Sequence, residues 1–275
     1  MHPISMSYLT APMADPFESL TIAAQAGYDG LGLRLLDPAD GTLSPLVTDR
    51  ALRTAFVERL ADSGLKVTEI EAWVLRDGPQ PPTPPEVFEA AAALGQPGLI
   101  AVADRVGTVD VPRVAANFAA LCRLAADFRL KVGFEPIAHR AGGRLNDALA
   151  IAAAGAEWQA GLVFDALHVH RMGMTPADLG RVDPRLVGVF HLCDAPPLAE
   201  TLAEMIDHSA FNRWLPGEGV LPLEDYLDVL AADLLLSLEI PMTRLGPRHP
   251  AAQRADMAIV ATRALLARRG KGRPW

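Results

Sequence analysis

Ionisable side chains end four successive apolar segments of the chain. They are Glu135 in Gly-Phe-Glu-Pro, Asp165 in Val-Phe-Asp-Ala-Leu-His, His191 in Val-Phe-His-Leu-Cys-Asp, and Glu239 in Ser-Leu-Glu-Ile-Pro. An ionised group at the end of a buried segment costs free energy unless it is paired or binds a metal ion. Three carboxylates and one imidazole make an oxygen-rich donor set without thiolates, which suits Mn²⁺, Co²⁺, Mg²⁺ or Zn²⁺. The pattern predicts one divalent metal ion at these residues. The alternative is a pair of salt bridges with a core histidine.

The alternation of side chains along a strand supports this prediction. If Glu135 points into the interior of a closed sheet, Gly133 does so too and Phe134 faces outward. The same alternation places His191 and Glu239 on the inner face of their segments. Bulky residues then face the outside, and the charged groups converge on a common axis.

The segments that carry these residues belong to a regular order of elements. Short apolar runs alternate with amphipathic stretches, which predicts a parallel sheet with crossover helices. The candidate strands are Ile4–Leu9, Gly30–Leu35, Val67–Trp73, Leu99–Ala103, Lys131–Ile137, Leu162–Asp165, Leu186–Leu192 and Leu234–Ile240. Eight strands in 275 residues predict an α/β fold, a (β/α)8 TIM barrel in one domain over residues 1–275, with 270–275 as a flexible tail.

Helix boundaries are marked by capping residues and glycines. Asp15 precedes a proline and Gly27 ends the same helix; Thr83 and Gly95 repeat the arrangement, and Thr175 opens a shorter helix. Helical apolar spacing also predicts Ala51–Gly64, Val111–Phe128, Leu145–Ala154, Leu223–Leu230 and Ala251–Ala267.

Two stretches are predicted to be loops, Asp77–Pro82 after the third strand and Asp194–Leu221 after the seventh. In a barrel both loops lie on the C-terminal face, where active sites are built.

Composition restricts the classes of function. A net charge of −8 and a pI of about 5.4 argue against nucleic acid as a main partner, because neutralising phosphates requires a basic face. The two cysteines, Cys122 and Cys193, show no paired spacing, which fits a reducing compartment. The sequence has no signal-peptide pattern and no long apolar run, so we expect a cytoplasmic protein that does not enter a membrane.

The order of these motifs resembles the xylose isomerase-like TIM-barrel family over essentially the whole chain. That family includes sugar isomerases and epimerases, inosose and dehydroshikimate dehydratases, and type IV AP endonucleases. The shared features are a strand-end Glu, Asp-x-x-His, His-x-x-Asp and a last strand-end Glu; Arg213–Gly219 also resembles the family's Pro-Gly-Glu-Gly turn. The resemblance implies that Glu135, Asp165, His191 and Glu239 bind the metal. It also implies that His168 faces the substrate, although a histidine on a surface loop is the alternative.

Further residues are candidates for substrate contacts. Arg34 suits an anionic substrate group or pairs with Glu71, and Glu71 is either a structural partner or an additional acid. Trp73 forms an apolar wall under a sugar ring or belongs to the core. Arg213 reaches the substrate or is solvated.

The expected activity is isomerisation or epimerisation beside a carbonyl, through an enediolate. The family resemblance and the donor set suggest that Glu135 and Glu239 transfer the proton on opposite sides of a small polyhydroxylated substrate. Mn²⁺ is the metal expected first.

The alternatives are a dehydratase of an inosose or 3-dehydroshikimate, a DNA hydrolase and a non-catalytic sugar-binding barrel. The three-metal DNA hydrolases of the family have histidines where this chain has Glu71-Ala72-Trp73 and Ala103-Asp104-Arg105, which argues against that activity. A homodimer or homotetramer is compatible with such a barrel.

Overall fold

Eight parallel strands close into a barrel in the order of the sequence, β1 to β8, and β8 pairs with β1. The strands are β1 Ile4–Met6, β2 Gly30–Leu33, β3 Lys66–Leu75, β4 Gly98–Ala103, β5 Val132–Glu135, β6 Gly161–Asp165, β7 Val187–Leu192 and β8 Leu235–Leu238. The structure is a computed structural model and describes residues 2–12, 14–76, 78–104, 110–197 and 201–269. Asp77, Arg105 and the predicted tail 270–275 lie outside the described residues. The predicted (β/α)8 TIM barrel is confirmed.

Helices cover the outside of the barrel between the strands. They are α1 Pro16–Ala26, α2 Pro45–Thr48, α3 Arg50–Ser63, α4 Pro85–Ala93, α5 Val111–Ala126, α6 Leu145–Ala154, α7 Ala166–Arg171, α8 Pro176–Gly180, α9 Leu202–Ala210, α10 Leu223–Val229 and α11 Ala251–Arg269. Within the described ranges, no helix combines the length and the apolar character needed to cross a membrane.

Several predicted caps are present in the structure. The Asp15 carboxylate accepts hydrogen bonds from the backbone N–H groups of Phe17 and Glu18 at the start of α1. Gly27 ends this helix in the left-handed conformation, with φ of 81°. Thr175 forms a reciprocal capping box with Asp178 at the start of α8.

The predicted cap at Thr83 is wrong. Pro84 occupies the cap position of α4, which begins at Pro85 without a side-chain cap. The Thr83 hydroxyl instead accepts a hydrogen bond from the indole N–H of Trp73 at 3.2 Å.

The prediction of one continuous loop over Asp194–Leu221 is also wrong. It contains α9, whose first turn is fixed by a capping box between Thr201 and Glu204. Of the predicted strands, Ile4–Leu9 is too long because the chain enters a 3-10 turn at Tyr8–Thr10.

Two apolar layers flank the strands. A small cluster fills the barrel interior and consists of Ile100, Val102, Ile137, Val163 and Val189. A larger cluster lies between barrel and helices and includes Phe134 and Phe190. A Cβ at Gly133 would lie 2.8 Å from Cγ2 of Val163, so glycine is required there for the interior to close. The alternation predicted for β5 and β7 is thereby confirmed, and it turns Glu135 and His191 toward the axis.

Candidate metal centre and substrate cavity

Four buried side chains converge at the C-terminal mouth of the barrel. Each of Glu135, Asp165, His191 and Glu239 offers one ligand atom, and these atoms all lie within 4.8 Å of one another. Asp165 and His191 are direct partners in the register of β6 and β7, and Glu239 follows β8. The strands therefore bring together the residues that the sequence predicted as a group.

Two of these ligand atoms lack hydrogen-bond partners among the described residues. They are Nδ1 of His191 and Oε2 of Glu239, both buried. They lie 3.5 Å apart, and Nδ1 lies 3.7 Å from Oε1 of Glu135. Buried polar atoms rarely lack a hydrogen bond, so two such atoms that face each other favour a cation site at this position. An imidazole nitrogen with carboxylate oxygens fits a divalent cation such as Mn²⁺, Co²⁺ or Zn²⁺.

Glu69 is a member of this cluster that the sequence analysis missed. Its carboxylate on β3 is fully buried, and Oε2 lies 3.3 Å from Nε2 of His191. The Ser237 hydroxyl donates to Oε1 at 2.5 Å. The alternation of side chains along β3 could have identified Glu69, because it lies two positions before Glu71 and faces the same side of the strand.

Arg213 brings positive charge directly to the carboxylates. Its side chain is 2 % exposed, so the solvated alternative is wrong. Nη1 donates a short hydrogen bond to Oδ2 of Asp165 and lies 2.7 Å from Oε2 of Glu239 in an ion pair that lacks hydrogen-bond geometry. Burial alone would raise the pKa of Asp165, but the Arg213 guanidinium, the imidazoles of His168 and His191, and the hydrogen bond from the His168 backbone together outweigh it and lower the pKa to about 2. Asp165 is therefore ionised at neutral pH.

Burial and neighbouring charges also shift the pKa values of Glu135 and His191. Burial, followed by the charge of Glu239, raises the pKa of Glu135. Burial would lower the pKa of His191, but the Glu239 and Glu69 carboxylates raise it well above its ordinary value. The clustered negative charge attracts a cation, and a bound cation would hold the carboxylates ionised.

Asp194 fixes the segment that carries Arg213. Its carboxylate accepts backbone N–H groups from Gly217 at 2.9 Å, Gly219 at 3.0 Å and Leu221 at 3.1 Å. The Asp of the His-x-x-Asp pattern therefore holds the Pro-Gly-Glu-Gly turn against the end of β7.

A cavity of about 310 Å³ opens beside the four ligands. Its polar lining consists of Arg34, Glu71, Glu135, His139, Arg140, His168, Ser209, Arg213 and Glu239. Apolar residues that include Val102, Ile137, Ile206 and Phe211 form the rest of its wall. The structure thus gathers four of the predicted substrate-binding residues, Arg34, Glu71, His168 and Arg213, around one space.

A comparison of the sequence with models of protein families assigns the chain to a family. The model described as xylose isomerase-like TIM barrel matches residues 20–262. The chain belongs to the xylose isomerase-like TIM-barrel family. No curated protein matched the sequence.

Solved structures of the same fold are distant in sequence. An IolI protein with a bound zinc atom has a TM-score of 0.78 and 17% identity, covering 97% of this chain and 98% of its own. An L-ribulose 3-epimerase has a TM-score of 0.67 and 18% identity, covering 98% and 96%. AsbF, the probable 3-DHS dehydratase of Bacillus anthracis, has a TM-score of 0.71 and 15% identity, covering 94% and 98%. At these identities the likeness establishes the shared fold.

His168 occupies the Asp-x-x-His position of the family pattern and is buried, which rules out the surface-loop alternative. Its backbone N–H donates to Oδ1 of Asp165 at 3.1 Å at the start of α7. Burial lowers the pKa of His168 well below its ordinary value, so its imidazole is neutral at neutral pH. Its Nδ1 has no hydrogen-bond partner in the described chain.

Glu71 and Arg34 do not form the pair that was one alternative. Oε1 of Glu71 accepts hydrogen bonds from the Ser7 hydroxyl at 2.8 Å and from the Tyr8 backbone N–H at 2.9 Å. Burial, followed by the charges of Glu239 and Glu69, raises the pKa of Glu71 to about 8. The Arg34 guanidinium lies over the Tyr8 ring, 4.3 Å from its centroid, and 3.9 Å from Asp37.

Trp73 does not line the cavity. Its ring stacks on Phe88, with centroids 6.0 Å apart, in the layer between barrel and helices. Trp73 has the same parity as Glu69 and Glu71, but the pairing of β3 with β4 is irregular between Ile70 and Trp73. Beyond this irregularity Ala72 and Val74 pack against the interior cluster, and Trp73 faces the outer core. Its predicted role as a wall under a sugar ring has no support in this arrangement.

Proposed function

We propose that this protein is a divalent-metal-dependent isomerase or epimerase of a small polyhydroxylated carbonyl compound. The observation that carries the proposal is the pair of buried ligand atoms His191 Nδ1 and Glu239 Oε2, which lie 3.5 Å apart without a hydrogen bond to the described residues. They belong to the same cluster of ligand atoms as Glu135 and Asp165. The solved relatives include an L-ribulose 3-epimerase and a 3-keto-D-glucoside 4-epimerase, which supports this class of reaction.

Glu135, Asp165, His191 and Glu239 would hold one divalent ion. Mn²⁺ is our first candidate, and the zinc atom in the IolI protein keeps Zn²⁺ among the alternatives with Co²⁺ and Mg²⁺. A bound ion supplies Lewis-acid stabilisation of negative charge that develops on substrate oxygens.

The protein's own residues would move the proton. Glu135 and Glu239 both reach the cavity and the ligand cluster. One carboxylate removes the proton next to the carbonyl, and the other returns it to the resulting enediolate. Asp165, held ionised by Arg213, would keep its role as a metal ligand.

Two further groups would orient the substrate. Neutral His168 is buried at the cavity wall with an unpartnered Nδ1, so it can hydrogen-bond a hydroxyl or carbonyl oxygen. Arg213 would stabilise negative charge on a substrate oxygen, because its guanidinium lies beside the ligand carboxylates.

A dehydratase is the second candidate. It begins with the same proton abstraction and then expels a β-hydroxyl group. The cavity lining favours it for an acidic substrate, because Arg34 and Arg140 add positive charge there. The 3-DHS dehydratase among the solved relatives supports the same alternative. A DNA hydrolase is disfavoured, because Glu71 within β3 and Asp104 after β4 stand where its extra metals need histidines. The cytoplasmic location and a homodimer or homotetramer stay predictions.

Hydrogen exchange at carbon tests the proposed function. Protein loaded with Mn²⁺ and incubated in D₂O with a panel of keto-sugars and keto-cyclitols should incorporate deuterium next to the carbonyl of its substrate. Glu135→Gln and Glu239→Gln should each lower this rate by about 10²- to 10⁴-fold, the usual contribution of a general acid–base. Glu58→Gln, an exposed residue of α3, is the matched control and should exchange like the wild type. Wild-type exchange in both site variants would overturn the assignment. Product analysis on the same panel separates epimers from dehydrated products.

A further inference from the structure

Glu69 is a buried carboxylate that the proposed chemistry does not use. It lies inside the barrel with a side chain that is 0 % exposed, and it does not belong to the cavity lining. A contact with substrate therefore does not explain it. Burying a carboxylate costs free energy unless specific partners compensate the loss of water.

Its partners come from the two strands across the barrel. Oε1 accepts the hydroxyl proton of Ser237 on β8 at 2.5 Å, and Oε2 lies 3.3 Å from Nε2 of His191 on β7. Ser237 and His191 are direct partners in the register of these strands. A Cβ at Gly32 would lie 2.9 Å from Cγ of Glu69, so a glycine on β2 gives the side chain its room. The carboxylate is thus held in one orientation by several strands.

This contact favours Nδ1 of His191 as the atom available to a metal, because a carboxylate oxygen beside Nε2 accepts a proton from it. A neutral imidazole carries a proton on one ring nitrogen and a lone pair on the other. With Nε2–H donated to Glu69, the lone pair lies on Nδ1. Nδ1 is the atom that faces Glu135 at 3.7 Å and Glu239 at 3.5 Å and has no hydrogen-bond partner there. A hydrogen bond to the remote nitrogen fixes the ring orientation and increases the basicity of a ligating histidine.

We propose that Glu69 is a positioning residue that, held by Ser237, fixes His191 as an Nδ1 ligand and strengthens metal binding. The inference rests on the proposed function because it assumes a divalent ion at this centre. It adds a residue on β3 to a site whose four ligands come from β5 to β8.

Metal affinity of the folded, chelator-treated protein tests this inference without any turnover assay. The dissociation constant for Mn²⁺ is measured by calorimetry for the wild type, Glu69→Gln, Glu69→Met and Ser237→Ala. We expect Glu69→Met to weaken binding by about 10- to 100-fold, the usual effect of losing such a partner. Glu69→Gln and Ser237→Ala should weaken it less, because Gln keeps an acceptor for Nε2–H and Ala removes only the group that orients Glu69.

Thr68→Val is the matched control. Thr68 neighbours Glu69 on β3 and its hydroxyl bonds to Ser5 at 2.6 Å, away from His191. Its Mn²⁺ affinity should equal that of the wild type. Urea unfolding of each metal-free variant separates positioning from a general structural role, because a purely structural Glu69 would change stability and leave the affinity of the folded protein unchanged.

The outcomes distinguish this inference from the proposed function. Wild-type affinity in both Glu69→Gln and Ser237→Ala overturns the role of Glu69, even if Glu69→Met fails to fold. A wild-type protein that binds no divalent ion overturns the proposed function and this inference with it. If the Glu69 variants bind Mn²⁺ more weakly but the wild-type protein has no isomerase activity, the positioning role of Glu69 is supported and only the proposed reaction is overturned.

Discussion

At the scale of single residues, the centre combines several buried carboxylates with one buried guanidinium. Arg213 ion-pairs with Asp165 and Glu239, so it compensates two ligands that would otherwise repel each other. Removing one partner of a buried pair leaves an uncompensated charge, which typically costs about 3–5 kcal/mol. Arg213 therefore stabilises the ligand set and lies where it can also contact a substrate oxygen.

The raised pKa of His191 leads to a prediction for the pH dependence of metal binding. In the metal-free protein the Glu239 and Glu69 carboxylates keep His191 protonated well above its ordinary pKa. The protonated imidazole therefore stabilises the folded metal-free protein at pH values below the unfolded pKa of about 6.5. This contribution to the free energy of unfolding is lost as pH rises through the raised pKa of the folded state. A metal needs the neutral imidazole, so binding releases this proton.

The affinity for Mn²⁺ should therefore increase with pH between about pH 5 and 8, and the raised pKa of Glu135 acts in the same direction. Calorimetry in buffers of different ionisation enthalpy measures the protons released. An affinity that does not change with pH, together with no proton release, would contradict the assigned state of His191.

At the scale of elements, the segment between β7 and β8 sets the position of Arg213. Asp194 ties its Pro-Gly-Glu-Gly turn through backbone N–H groups, and Nε of Arg213 donates to the carbonyl of Ser209 at the end of α9 at 3.0 Å. A Cβ at Gly219 would lie 2.2 Å from the Ala195 carbonyl oxygen and from Oδ1 of Asp194. The turn can close only with glycine at this position.

Gly219→Ala should therefore displace the turn and destabilise the protein by about 1–3 kcal/mol, the usual range for overpacking. The turnover number should fall as well, because Arg213 moves with the turn. Gly188→Ala is the control, since its new Cβ would meet the Leu162 carbonyl oxygen only at 4.0 Å. Urea unfolding and the deuterium-exchange assay measure both effects. Equal stability of the two variants would show that the turn tolerates a side chain.

The same elements show how far local patterns predict the site. The position at a strand end and the alternation of side chains were enough to predict that Glu135 and His191 point into the barrel. Both signals are properties of a single strand and can be read from a short segment of sequence. The partners of Glu69 were not predictable in this way, since His191 and Ser237 lie 122 and 168 positions further along the chain. The burial of Arg213 also depends on barrel closure, because Asp165 lies 48 positions before it. Helix α9 was missed although the capping signal at Thr201 is local.

At the scale of the whole molecule, closure of the barrel creates the centre. β3 meets β7 and β8 only across the interior, and the ligands of β5 to β8 meet only when β8 pairs with β1. An ion that binds only the folded chain stabilises it by mass action, by about 2.7 kcal/mol at a concentration 100 times its dissociation constant. Folding and binding of the proposed ion are therefore linked.

Metal stoichiometry tests whether the four converging residues form one metal centre. The wild-type protein is loaded with Mn²⁺, freed of excess ion by gel filtration and analysed by plasma mass spectrometry beside His191→Ala and the surface control Glu58→Gln. We predict one ion per chain in the wild type and in the control, and almost none in His191→Ala. A wild-type chain that retains no ion or three ions, or a His191→Ala chain that retains a full equivalent, would contradict a single centre built from Glu135, Asp165, His191 and Glu239.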